Sequence, residues 1–106
     1  MEAGEYIMQK FQTFGITMSE ADLLDIALSS GIAQTSEVTA DNVAALSVGI
    51  ARFIPSLFMR ATSISESGFS MSWDMSGIKA YYAYLCRKYG LQDEINTDKP
   101  KVSFLQ

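Results

Sequence analysis

Residues 61–90 read ATSISESGFSMSWDMSGIKAYYAYLCRKYG, and the spacing of the apolar residues changes partway through them. Phe69, Met71 and Trp73 alternate with Ser70, Ser72 and Asp74, a two-residue repeat that suits a strand with one apolar face. Ser63, Ile64, Ser65 and Glu66 form the candidate partner strand. Ser67 and Gly68 supply the turn between them, because glycine accepts positive φ at little cost. From Ile78 onward the spacing is helical: Ile78, Tyr81, Tyr82, Leu85 and Tyr89 fall on one stripe. Asp74 or Ser76 can cap the start of that helix, and Gly90 can close it in the left-handed conformation. The stretch predicts a serine-rich hairpin over about 62–74, feeding a tyrosine-rich helix.

Upstream lies the most apolar segment of the chain, with Val43, Leu46, Ile50, Phe53, Ile54, Leu57 and Phe58 at helical spacing. It is the expected central helix, with Thr39 as its candidate cap. Ala44, Ala45, Gly49 and Ala51 are small enough to let neighbouring helices approach. Pro55 removes a backbone hydrogen bond at a cost of roughly 3 kcal/mol in a helix interior, and should kink or end the helix. Before it, Ser19 with Asp22 reads as an N-cap followed by an acidic residue at the third helical position. Leu23, Leu24, Ile26, Ala27 and Leu28 then make a short helix that is apolar on more than one side, stopped by Gly31. Ile7, Met8, Phe11 and Phe14 mark a first helix over 2–14, closed by Gly15, and residues 34–37 read as loop.

Downstream, residues 91–95 are a candidate last helical turn, and 96–101 a polar, proline-containing linker. Val102, Ser103, Phe104 and Leu105 form an apolar, β-leaning tail, which either folds back on its own domain or docks on a neighbour. The expected fold is mainly α: a small bundle of about four helices with one inserted β-hairpin. A single domain would span 1–95, with linker and tail at 96–106. Phe53, Ile54 and Leu57 should be buried against Tyr82 and Leu85, because both stripes must leave water.

With 106 residues, the chain can fill one modest core. A hydrophobic share of 48% against 19% charged residues describes a folded chain rather than a disordered one. The net charge of −4 argues against a free-standing nucleic-acid binder. That charge is uneven: residues 1–41 hold seven acids and one base, residues 42–106 five acids and seven bases. The asymmetry is compatible with head-to-tail contact between copies, and equally with solvated helix faces of differing composition. Cys86 has no partner for a disulfide and reads as a small, partly buried filler; without histidine there is little from which to build a zinc site. No basic segment followed by an apolar run marks a signal peptide. The apolar segment over 43–59 is too short, and too interrupted by Arg52 and Pro55, for a membrane span. A soluble protein made in a reducing, intracellular compartment is expected.

Enzymatic motifs fail on context. Ser76 and Lys79 match S-x-x-K, yet the companion motifs S-D-N and K-T-G are missing. Tyr84 and Lys88 have the spacing of a dehydrogenase acid pair without any dinucleotide-binding glycine fingerprint. Asp22 with Asp25, and Asp93 with Glu94, have no apolar setting that would raise one carboxyl and not the other. No catalytic residue, metal ligand or cofactor site is expected. Tyr81, Tyr82, Tyr84 and Tyr89 beside Arg87 and Lys88 could stack on bases, although such a stripe more commonly serves core and interface. Trp73, in line with Phe69 and Met71, either packs on its own bundle or anchors a partner. Phe11, Phe14, Leu46, Ile50, Phe53 and Leu85 already fill an interior. Phe69, Met71 and Trp73, with Val102 and Phe104 of the tail, are therefore the expected assembly surface.

The segment Ser63-Ile64-Ser65-Glu66-Ser67-Gly68-Phe69-Ser70-Met71-Ser72-Trp73, set between an apolar helix and a tyrosine-rich one, resembles bacteriophage head–tail connector (adaptor) proteins. In that family an apolar helix leads into a segment of the type S-x-S-E-G-x-x-S-x-S-[WYF], and a closing helix follows. The resemblance covers residues 42–90, and the Ser-Glu-Ala-Asp-Leu-Leu opening at Ser19 is similar too; Asp22 and Asp25 only partly represent the family's acidic pairs. The resemblance implies a structural, non-catalytic subunit of a phage or prophage. Its copies would form a ring beneath the portal and contact portal and tail proteins. DNA would pass through the lumen without specific binding, and no membrane would be involved. The implied location is the bacterial cytoplasm during assembly, then the virion neck. The alternative from the residues themselves is a small non-enzymatic helical protein–protein interaction module using the same Trp73 surface.

Overall fold

The computed structural model describes residues 1–65 and 73–95, with the backbone only over 60–65. Within them the chain folds into α1 (Ala3–Gln12), α2 (Glu20–Ser30), α3 (Val43–Ser65) and α4 (Met75–Tyr89). The mainly α, four-helix expectation holds. Two of the helix starts follow local side-chain chemistry. At α2 the Ser19 Oγ accepts the Asp22 N–H at 3.1 Å, and the Asp22 carboxylate accepts the Ser19 N–H at 3.4 Å, a reciprocal capping box. At α4 the Asp74 carboxylate accepts the Gly77 N–H at 2.9 Å. Thr39 acts one turn before α3: its hydroxyl accepts the Asp41 N–H at 3.2 Å and its carbonyl the Val43 N–H at 3.0 Å. Gly31 and Gly90 close α2 and α4 at φ 75° and 69°, where a Cβ would be strained.

α1 begins differently. Glu2 gives it no side-chain cap. Instead the Ala3 and Gly4 N–H groups donate to the carbonyls of Ser36 and Gln34 at 2.8 and 2.9 Å, and Glu2 forms an isolated antiparallel bridge with Glu37. Loop carbonyls thus satisfy donors that a helix start leaves open.

α3 is the central helix, in contact with both α2 and α4, and α1 lies on α2. Gly49, Phe53 and Ser56 border α2, whereas Ala51 and Pro55 border α4. Residues two apart on a helix point about 200° apart, so α2 and α4 lie on different sides of α3, with Arg52 bordering both. Ile7, Phe11, Ile16, Ile26, Leu46, Ile50, Ile54, Leu57 and Ile78 fill the core between the helices and are almost wholly excluded from water. Tyr82 and Leu85 join the same cluster, as expected, and Phe53 packs half-buried against it with its ring edge-on to Phe11 at 6.1 Å. Of the small residues on α3, Gly49 and Ala51 are buried, whereas Ala44 and Ala45 face solvent.

Three expectations need correction or narrowing. The hairpin over about 62–74 is not supported: Ser63, Ile64 and Ser65, its intended first strand, are the last residues of α3. Once a helix is established each further residue adds a hydrogen bond, and three serine-flanked positions of alternating polarity are a weak competitor. Trp73 leads into α4 without strand pairing, no strand occurs among the described residues, and residues 66–72 lie outside them. Of the two outcomes expected at Pro55, a kink or an end, the end does not occur: α3 continues for ten residues beyond it. Residues 91–95 are not helical, because Gly90 turns the chain and the Leu91 N–H closes on the Cys86 carbonyl at 2.9 Å.

Candidate interaction surface

Trp73 is half-buried against the core cluster. Its neighbour Asp74 donates its N–H to the Phe14 carbonyl at 2.8 Å, which ties the entry of α4 to the end of α1. Phe69, Met71, Val102 and Phe104, the other expected assembly residues, lie outside the described residues. Only Trp73 of that set can be placed.

Two outward helix faces stand out beside it. On α2, Ile26 is fully buried, and Leu24 and Leu28, each two residues away, turn outward with 50% and 72% of their surface exposed. With Ala27, Gly31 and Ile32 they line a groove of roughly 450 Å³. Exposed Glu20 and Asp25 flank it. α2 carries three acidic residues and no basic one.

On α4, Tyr82 and Cys86 are buried, and Tyr84 between them turns outward, 47% exposed. Exposed Ala80, Arg87 and Lys88 share that side. α4 carries Lys79, Arg87 and Lys88 and no acidic residue. The Lys88 ammonium lies 5.6 Å from the ring centroids of both Tyr84 and Tyr89, and donates to the Tyr84 hydroxyl at 3.4 Å, which raises its pKa. Along the seam with α1, Lys10 sits 5.3 Å from the Tyr6 ring and 5.7 Å from that of Tyr81. Tyr81 packs on Phe14 with centroids 5.6 Å apart. Burial, with three neighbouring tyrosines, holds the Tyr81 phenol well above its ordinary value.

The chemical motifs dissolve into structural roles. Ser76 donates its hydroxyl to the Asp74 carboxylate at 3.4 Å, within the cap of α4. Tyr84 and Lys88 are an exposed surface pair. Asp22 is buried in its capping box while Asp25 is exposed, so the two carboxylates do not form a paired site. Burial raises the Cys86 thiol, which makes it a poor nucleophile. Among the described residues no group of three His, Cys, Asp or Glu could hold a metal ion, and no helix is long and apolar enough to cross a membrane.

The core part of the tyrosine stripe was legible in the sequence: Tyr82 is buried, and Tyr81 and Tyr89 are half-buried. The exposure of Leu24 and Leu28 was announced only by a helix apolar on more than one side, and Lys10 was missed because its partner Tyr81 is distant in sequence. A model for a family of unknown function (DUF6706) matches residues 1–105. The chain belongs to that family. The match takes in both outward faces and the serine-rich segment between α3 and α4. No curated protein and no solved structure matches the chain.

Proposed function

We propose that this member of the family is a structural connector subunit of a phage or prophage, which assembles into a ring joining a portal to a tail. One observation carries the reading: the serine-rich segment that resembles head–tail connectors runs, in sequence, from the end of the apolar α3 to the start of the tyrosine-rich α4. On this reading Phe69, Met71 and Trp73 contact a partner, and Val102 and Phe104 add a second contact from the tail. The exposed leucines of α2 support the reading as well, since an open apolar surface flanked by acids suits a protein partner better than a small molecule. The role needs no catalytic residue, cofactor or metal. DNA passing through such a ring meets a chain of net negative charge and is not retained.

The second reading is a small helical interaction module that binds one partner as a monomer or dimer. Mass measurement of the purified protein across a wide range of concentrations, with and without portal protein, separates the two. A closed species of fixed subunit number, or one nucleated by portal, is the expected result. A monomer or dimer at every concentration that ignores portal would sink the connector role.

A further inference from the structure

We infer that the outward face of α4 on one copy packs against the outward face of α2 on the next, in a repeating head-to-tail contact. The inference rests on the ring reading in requiring that copies associate, and adds which surfaces meet. Its basis is a match between two faces of the same molecule. α2 presents Leu24 and Leu28 between Glu20 and Asp25, with three acids and no base along the helix. α4 presents Tyr84 between Arg87 and Lys88, with three bases and no acid. Each face has an apolar centre and a charged rim, and the rims are opposite in sign. Tyr and Arg are enriched at interface centres, and complementary rims fix orientation and speed encounter. Ala21 and Ala80, both exposed, leave room for close approach of the two helices.

The placement of the faces decides the type of assembly. α2 and α4 lie on different sides of α3 and turn these faces away from the core, so one copy cannot bring its own two faces together. Two copies joined in this way leave one α2 face and one α4 face open. A contact made once per pair between two different patches is heterologous, and it repeats until a ring closes or a filament grows. A single contact along the 11 residues of α2 is small beside the roughly 1,600 Å² of a standard stable interface, so an isolated pair should be weak and closure should hold the assembly.

Charge exchange tests the contact. Asp25→Lys and Lys88→Glu are both substitutions of exposed side chains, and circular dichroism with thermal unfolding checks that each variant keeps the fold. Sedimentation across concentrations should show each single variant associating about tenfold more weakly or worse, and an equimolar mixture of the two, or the double variant, recovering much of the loss. Leu28→Ser should weaken association without any change of charge, and covers the case in which a charge variant fails to fold. Singles that associate like the wild type overturn the inference, as does a wild type that stays monomeric at every concentration. Rings that form regardless of these substitutions overturn the α2–α4 contact and leave the connector role standing. Association that obeys the exchange but never yields a closed or portal-bound species supports the contact and removes the connector role.

Discussion

Gly49 sits where α3 approaches α2, and a single methyl group measures how close. A Cβ placed there would lie 2.9 Å from the Ser30 Cβ and 3.2 Å from the Ile26 carbonyl. Alanine is favoured over glycine in a helix by up to about 1 kcal/mol, so relief of the contact and helix propensity pull in opposite directions. The neighbour is a short side chain next to backbone, with little freedom to yield. Gly49→Ala should therefore destabilise the fold, by about 1–3 kcal/mol in urea unfolding. A more stable variant would mean that α2 and α3 are free to move apart. Leu57, 1% exposed within the main cluster, should lose about 2–5 kcal/mol on truncation to alanine. At this scale the sequence was informative. Ser19, Asp74, Gly31 and Gly90 act on backbone groups within a few residues, so their roles follow from local chemistry. Leu24 and Leu28 could not be told from Leu23 in that way, because which side of α2 is covered depends on where α1 and α3 lie.

At the scale of elements, Tyr82 joins α4 to the chain that follows it. Its hydroxyl accepts the Glu94 N–H at 3.0 Å and donates to the Gln92 carbonyl at 3.4 Å. Burial raises the phenol to about 12, partly offset by the bond from the Glu94 N–H. The unfolded chain ionises near 10, so the folded state resists losing this proton. The resulting stability is complete below about pH 10 and disappears as pH rises towards 12. Alkaline titration followed by circular dichroism and phenolate absorbance should show unfolding in that window. Tyr82→Phe should shift its onset upward while lowering stability at neutral pH by about 1–2 kcal/mol. An unchanged alkaline transition would remove Tyr82 from the account. The hairpin was illegible at this scale for a related reason. Its intended first strand at Ser63, Ile64 and Ser65 competes with a long helix already propagating into those residues, and only the whole of α3 decides the outcome.

For the whole molecule, the contrast that matters is that α2 carries acids and no base while α4 carries bases and no acid. Self-association through α2 and α4 should weaken steeply as salt is raised, because exposed charges more than about 10 Å apart are screened near 0.1 M. Sedimentation at two ionic strengths checks this, and salt-insensitive association would point instead to an apolar contact. Trp73 tests the partner surface separately. Trp73→Ala should weaken assembly or portal binding by about 2 kcal/mol or more while the fold remains cooperative. Since Trp73 also packs half-buried on the core, some loss of thermal stability will accompany it; a fold that collapses, with association intact, would place the side chain wholly in the interior.

The start of α1 has a consequence for the order in which the chain folds. The carbonyls of Gln34 and Ser36 that complete its first turn lie thirty or more residues away in sequence. An isolated helix of ten residues is marginal in water, and this one has no cap of its own until that long loop has closed. α2 and α3, with local caps and a close contact at Gly49, can form without it. α1 should therefore dock late and open first. Under native conditions the amides of α1 should exchange with solvent faster than those of α3 at Ile50 and Ile54, through a partial opening that leaves the remaining helices in place. Equal protection of α1 and α3 would instead mean that the bundle opens only as a whole.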